Sequence, residues 1–425
     1  MEIHIVQPGE TLYGIAGRYG ADPELLREAN GIPPDAALAV GQTIVIQPVK
    51  TFHIVQPGQT LGTIARFYGL PLRALYRNNY QLGGNPDIFP GQKLVIAYGG
   101  EKLGAAYTNG YAYPYIQSPA LRAQLPYMSF LTPFTYGVTA QGGLLPLNDW
   151  ALLEEARQLG TAGLMHLSTL TEEDTFSSER AELVLTDSEL RLALIEQIKA
   201  VMAEKGYQGL DVDFEYIPAA LREAYAAFIA QLRRHLSPRG WPVMAALAPK
   251  TWADQPGLLY EGHDYALLGA AADFVLLMTY EWGYTYGPPM AVAPLPNVRQ
   301  VLDYAVTEIP REKIYLGIPN YGYDWPLPFR QGETKARSIS NQEAVAIAAA
   351  QRADIAYDGT AQSPWFRYTA GGTVHEVWFE DARSMSAKLR LIQEYGLRGA
   401  GYWNLMRPYP QGWTVLNALY DVRDG

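Results

Sequence analysis

The chain contains no cysteine among its 425 residues. That excludes disulfides, thiol nucleophiles and thiolate metal sites together, and it leaves the redox compartment open. Basic residues are in the minority, 33 Lys and Arg against 43 Asp and Glu, for a net charge of −10. No block of Lys and Arg is left to neutralise phosphates, which argues against nucleic acid or an anionic membrane surface as a partner. No uninterrupted apolar run reaches the roughly 18 residues of a membrane span. The opening residues, MEIHIVQPGE, lack a basic segment followed by an apolar one, so no signal peptide is readable. The six histidines, at 4, 53, 166, 235, 263 and 375, form no HExxH or other close pair. A catalytic metal is therefore not expected, and they read as scattered surface or strand residues. No cofactor is implied. What remains is ordinary globular composition, 48% hydrophobic and 18% charged, on a chain too long for one small core.

Comparison of the chain with itself shows HIVQPGETLYGIAGRYG (4–20) returning as HIVQPGQTLGTIARFYG (53–69), an offset of 49 residues. Each copy opens with a short apolar run and a Pro-Gly turn. Leu12, Ile15 and Tyr19, or Leu61, Ile64 and Phe67-Tyr68, then fall at helical spacing behind Thr11 or Thr60 as N-cap. A second helical stretch ends at Asn30 or Asn79, and GQTIVI (41–46) or GQKLVI (91–96) closes each copy as a strand. The pattern is two βααβ units, over 1–48 and 52–98. In QPGxTL, in the asparagine and in the closing GQxxxI, both copies resemble the LysM module. That resemblance implies binding of N-acetylglucosamine units in peptidoglycan or chitin. The groove it implies lies between Thr11 and Leu12 (Thr60 and Leu61 in the second copy) and Asn30, Gly31 and Ile32 (Asn79 and Tyr80). The second copy carries one extra residue between Asn79 and Gly91. Two weak sites on one tether raise effective concentration along a polymer, a physical reason for duplication.

Past a Gly-containing junction at 99–106, the remainder up to 425 has the size of an α/β barrel. Buried strands are expected at 104–110, 127–134, 163–168, 209–216, 243–250, 273–282, 314–322 and 399–405, alternating with amphipathic helices such as 187–206 and 218–236. The exception is 322–385. There PWFRYTAGGTVHEVWFE reads as a hairpin around Ala370-Gly371-Gly372, and hence as a small α+β insertion. The expected architecture is a (β/α)8 barrel over 104–425, preceded by the two small units.

Within 209-GLDVDFEY-216, strand alternation sends Asp211, Asp213 and Glu215 to the barrel lumen and Leu210, Val212 and Phe214 outward. Like charges packed together raise at least one pKa, which is how a carboxyl stays protonated near neutral pH and serves as an acid. Catalytic residues of such barrels sit at the C-terminal strand ends, and Glu215 is the outermost of the three. The strand resembles the DxxDxDxE signature of glycoside hydrolase family 18, the chitinase-like barrels, reading 208-QGLDVDFE-215 with Gln208 in place of the first aspartate. The segment 278-MTYE-281 stands where that family has Met-x-Tyr-Asp, and Trp403 in 401-GYWNL-405 where its last strand supplies an indole. The family's Ser-x-Gly-Gly is not recognisable in 164-LMHLSTL-170.

The resemblance implies that Glu215 is the single acid/base and that the substrate's 2-acetamido oxygen is the nucleophile, with retention of configuration. Asp213 would hold the acetamido N–H, Asp211 would tune Asp213, and Tyr280 would donate to the acetamido oxygen. Trp403 would carry the sugar in the −1 subsite, with Glu281 and Tyr321 as further substrate contacts. Two LysM-like units before this barrel resemble spore germination hydrolases of the cortical-fragment N-acetylglucosaminidase kind. The expectation is therefore a monomer acting on peptidoglycan in the spore coat and cortex region or the cell wall. A chitinase and a non-catalytic chitinase-like lectin are the alternatives, and Glu215 speaks against the second.

Overall fold

The two repeats adopt the same small fold in the computed structural model, which describes residues 1–173 and 175–425. In the first, β1 (Glu2–Ile5) pairs antiparallel with β2 (Thr43–Ile46) around α1 (Leu12–Tyr19) and α2 (Pro23–Ala29). In the second, β3 (Val49–Ile54) pairs with β4 (Lys93–Tyr98) around α3 (Leu61–Tyr68) and α4 (Leu72–Asn78). Thr11 accepts from the Gly14 amide and Thr60 from that of Thr63, satisfying helix-start donors that would otherwise be left unpaired. Gly20 and Gly69 close the same helices at φ 63 and 67, left-handed conformations that a Cβ disfavours. His4 meets the Tyr19 hydroxyl at 3.2 Å and Glu10 at 2.7 Å, and His53 meets Tyr68 and Gln59 at the same distances. Two of the scattered histidines are thus the matching internal ties of the repeat. The segment of the second copy that carries its extra residue opens with a turn of 3-10 helix at Tyr80–Leu82.

The barrel follows with β5 (Gly104–Ala112), β6 (Phe130–Pro133), β7 (Ala162–Ser168), β8 (Gly209–Asp213), β9 (Val243–Leu247), β10 (Phe274–Leu277) and β11 (Ile314–Pro319). Between β11 and the last barrel strand come β12 (Gly322–Leu327), β13 (Arg337–Ile339), β14 (Ala356–Asp358), β15 (Ser363–Ala370) and β16 (Thr373–Trp378). The eighth barrel strand, β17 (Gly399–Trp403), pairs with both β11 and β5, which closes eight parallel strands into a ring. A short β18 (Tyr420–Val422) adds to the start of β5. All eight expected strands are present, and most stop earlier than their apolar runs do. After Asp213, Leu247 and Leu277 the chain leaves the sheet to form the loops above it.

The alternation separates two cores. Leu210, Val212, Val243, Ala245, Val275 and Leu277 pack outward under the helices. Tyr111, Phe130, Leu164, Met244, Leu276 and Tyr315 fill the lumen. The insertion is a five-stranded antiparallel sheet, β13-β12-β16-β15-β14, covered by helix Asn341–Gln351. Its β15–β16 hairpin turns at Gly371 and Gly372, both at positive φ, as a two-residue turn of the primed kind requires. Residues 382–385 do not belong to this sheet, because they open helix Ala382–Tyr395 of the barrel's outer layer. Tyr280 and Trp403 pack against a buried cluster that includes Tyr321 and, from β12, Tyr323 and Trp325, so the insertion walls the top of the barrel.

The repeats do not hang on a tether. Helix Pro410–Leu419 is buried almost throughout and lies between the barrel and both repeats. Gln411 Nε2 donates to Asn30 Oδ1 (3.0 Å) and to the Thr43 carbonyl (2.7 Å), and Thr414 Oγ1 donates to the Ala29 carbonyl (2.6 Å). Asn417 Nδ2 reaches Asn78 in the second repeat at 3.0 Å. A Cβ at Gly41 would collide with the Ile355 carbonyl of the insertion, so only glycine permits that approach. Arg73 of α4 donates to the Gly160 carbonyl (2.9 Å), the Met128 carbonyl and Asp424 (2.7 Å) with its side chain only 11% exposed. A guanidinium so placed satisfies several strand-end carbonyls at once. Replacing it strands those acceptors, so Arg73→Ala is expected to lower stability by about 2 kcal/mol. Thermal melting together with trypsin cleavage at the 99–103 junction reads this. Unchanged melting and cleavage would show that Arg73 does not hold the second repeat in place.

Candidate active site

The barrel register sets His166 opposite Asp211 and Ser168 opposite Asp213 on adjoining strands. Phe214, one residue beyond β8, still points outward and stacks on Tyr225 at 5.7 Å, which keeps Glu215 on the lumen side of the loop. Tyr216 then takes φ 56, a left-handed turn uncommon for a tyrosine, as the chain leaves the barrel. The three acids therefore rise as a column. Asp211 is wholly buried, Asp213 nearly so, and Glu215 half-buried at the rim.

Tyr111 on β5 donates to Asp211 Oδ2 at 2.6 Å. Burial pushes the Asp211 carboxyl up to about 7 in spite of that bond. Asp213 is raised well above the ordinary aspartate range by burial and by the charges of Glu215 and Asp211. Burial lifts Glu215 to about 7. Three carboxyls in one dry column cannot all ionise, so protons are shared along it and the outermost acid stays protonated near neutrality. Above the column lies a cleft of about 180 Å³, walled by Tyr111, Phe134, Phe176, Tyr280 and Trp403. Trp403 crosses Phe134 at 5.0 Å and Tyr111 at 5.6 Å, giving the cleft an aromatic floor. The Tyr280 phenol is raised far above its usual pKa by burial and by Asp213, so it remains an O–H donor.

The expected residues separate into two sets. Asp213, Glu215, Tyr280, Glu281 and Trp403 line one cleft, with Asp211 directly beneath. The Tyr321 hydroxyl is committed to Glu281, which Tyr323 also contacts at 3.0 Å; Tyr321 thus stands behind Glu281 and does not line the cleft. In the repeats, Asn30 Nδ2 donates to the Leu26 and Val45 carbonyls while its Oδ1 accepts from the Val45 amide. Asn79 does the same with Leu75 and Val95. Both amides are used up in tying helix to strand, which corrects their reading as glycan contacts. Ile32 and Leu61 are likewise corrected, since both are buried in the cores of their modules. The Gly31 carbonyl accepts from Gln342 of the insertion, and Tyr80 packs toward Tyr127 of the barrel. Thr11 and Thr60 remain exposed and Leu12 half-exposed.

Tyr111, Phe134, His166 and Phe176 were not singled out from the sequence as site residues, and Met278 entered only as part of the 278-MTYE-281 motif. Tyr111 lay one position beyond the expected end of its strand, in lumen phase with Tyr107 and Asn109. The lumen place of His166 shows only once β7 is set beside β8.

A closed parallel barrel with an acid column, a phenol donor and an indole at the strand C-termini defines a glycoside hydrolase. Residues 173–407 match glycosyl hydrolases family 18, and the chain belongs to that family; residues 4–47 and 53–97 match the LysM domain. The chain is 41% identical to the "Cortical fragment-lytic enzyme" of Bacillus subtilis (strain 168), over 99% of each. It superimposes on the crystal structure of the Bacillus cereus spore cortex-lytic enzyme SleL with a TM-score of 0.84 at 34% identity, covering 99% of this chain and 98% of that one. A chitinase from Chromobacterium violaceum ATCC 12472 matches 74% of this chain and 98% of its own, with a TM-score of 0.69 at 27% identity.

Carboxyls whose folded pKa lies above the unfolded value bind more protons in the native state, so they cost stability as pH rises from the ordinary carboxylate range through the raised value. Asp213→Asn removes one such group. It is expected to raise Tm at pH 8 by roughly 1–3 °C, with a smaller difference at pH 4, while abolishing most hydrolysis. A Tm gain that does not depend on pH would contradict the acid-column electrostatics.

Proposed function

We propose that this chain hydrolyses N-acetylglucosaminyl linkages in peptidoglycan, specifically spore cortex, by substrate-assisted retaining catalysis. The observation that carries the mechanism is the arrangement of the cleft's acids. Asp213 and Glu215 rise from one strand, and the remaining acid, Glu281, is engaged by Tyr321 and Tyr323. In this reading the substrate's own acetamido oxygen attacks the anomeric carbon. Glu215, protonated below about 7, donates to the leaving glycosidic oxygen and then takes a proton from the incoming water. Asp213 accepts the acetamido N–H, Tyr280 donates to the acetamido oxygen, and Trp403 bears the sugar ring. Likeness along the whole chain to enzymes named for cortex lysis supports peptidoglycan of the spore cortex over chitin, and the paired LysM modules agree with a polymeric wall glycan.

The modules, fixed against the barrel through helix Pro410–Leu419, present the polymer at a set distance from the cleft. The chain works as a monomer at the cortex. Chitin is the second reading, favoured by the likeness to a chitinase barrel.

Glu215→Gln is expected to lower kcat by roughly a thousandfold or more on digested cortex fragments, with KM little changed. Mass spectrometry of products from cortex beside chitin oligomers reads both activity and preference. A variant that still turns over sinks the mechanism, and preferential cleavage of chitin oligomers sinks the cortex assignment. The wild-type rate is expected to fall as pH rises through about 7, because the acid form of Glu215 is lost.

A further inference from the structure

His166 lies on β7 in the wall of the lumen and is wholly buried. The rings of Phe134 (4.8 Å) and Tyr111 (5.7 Å) flank its imidazole. Its Nδ1 is 2.6 Å from the hydroxyl of Thr135, just beyond β6, and that hydroxyl also lies 3.0 Å from Ser168 Oγ. Its Nε2 is 3.7 Å from Asp213 Oδ2. Neither His166 Nε2 nor Asp213 Oδ1 has a hydrogen-bond partner among the described residues. The titratable groups around the ring and Asp213 are Asp211 and Glu215, Tyr111 on β5, Tyr280 and Tyr225, and among the described residues no Lys or Arg forms an ion pair with the column.

Asp213 is in an unfavourable place for an acceptor of the acetamido N–H. Burial and its two carboxyl neighbours all favour its neutral form, and the Tyr111 donor is spent on Asp211. From β7 the fold brings it the imidazole of His166, in addition to the Tyr280 phenol in the cleft. The Thr135 proton has Nδ1 at 2.6 Å and the Tyr136 carbonyl at 3.2 Å as acceptors, with Ser168 Oγ at 3.0 Å able to donate to the same hydroxyl; with the nearer Nδ1 as acceptor, the ring proton resides on Nε2, 3.7 Å from Asp213 Oδ2. Burial lowers the His166 pKa to about 3, so the ring stays a neutral donor throughout the working range.

We propose that His166, with its tautomer set by Thr135, is a positioning residue that donates through Nε2 to Asp213 Oδ2. It keeps that carboxyl ionised and fixes its orientation for the substrate acetamido group. The inference rests on the substrate-assisted reading of the site. It also gives the strand segment 164-LMHLSTL-170 a role, although that segment shows no recognisable Ser-x-Gly-Gly.

The test compares the full-length His166→Leu and His166→Gln variants with wild type on soluble chromogenic N-acetylglucosamine oligomers over a pH series, with Tm recorded for each. Leucine keeps the bulk without a donor, whereas glutamine can bring an amide N–H close to the position of Nε2. The leucine variant is expected to lose roughly tenfold to a hundredfold in kcat with a smaller change in KM. Its acid limb should move to higher pH, because Asp213 then protonates sooner, and glutamine should restore most of both. An acid limb unmoved in a folded leucine variant overturns the proposal, as does glutamine behaving like leucine. If Glu215→Gln also remains active, the substrate-assisted reading itself has failed. If Glu215→Gln is dead while His166→Leu matches wild type, only the role of His166 has failed.

Discussion

Everything at the catalytic end of this molecule depends on burying three carboxyls, Asp211, Asp213 and Glu215, on one face of one barrel strand and its following loop. Strand alternation leaves them no alternative, because Leu210, Val212 and Phe214 occupy the outward face and pack under the helices. Desolvation sets the cost and also the use of that burial. It favours the neutral form of each group, so a proton is held where an acid catalyst needs one. The surroundings then divide the labour. Tyr111 serves the deepest acid, His166 faces the middle one, and Glu215 meets the cleft.

A second constraint comes from helix Pro410–Leu419. A helix buried on nearly all sides cannot form the outer surface of a barrel, and here the two LysM modules cover it. Its polar residues Gln411, Thr414 and Asn417 are each satisfied by module backbone or side chains, which makes the docking specific as well as apolar. The modules thereby become part of the enzyme's body. The insertion adds a third wall, its Tyr323 and Trp325 belonging to the cluster against which Tyr280 and Trp403 pack beside the cleft.

Much of the site was legible in advance because its signal is local. The alternation in GLDVDFE and the indole near the last strand are properties of single segments. The eight barrel strands were legible as apolar runs, although their ends were not, since the run continues into loops that are themselves buried at the strand tops. The repeat was legible as a fold, but which of its side chains turn inward was not. A capping threonine or a helix-ending asparagine looks the same in sequence whether its polar atoms face a ligand or a backbone. Asn30 and Asn79 turn inward because the last helix turn and the returning strand each present groups that need a partner.

The sequence by itself determined the two βααβ repeats, the eight-stranded barrel, the acid column and the residue that heads it, because periodicity and near neighbours carry that information. Only the tertiary structure decided that His166 and Tyr111 meet the column, that Tyr321 stands behind Glu281, and that the modules are bound to the barrel. Those relations join residues about 40 to more than 380 positions apart, and they exist only once the closed sheet and the helix at 410–419 set the distances.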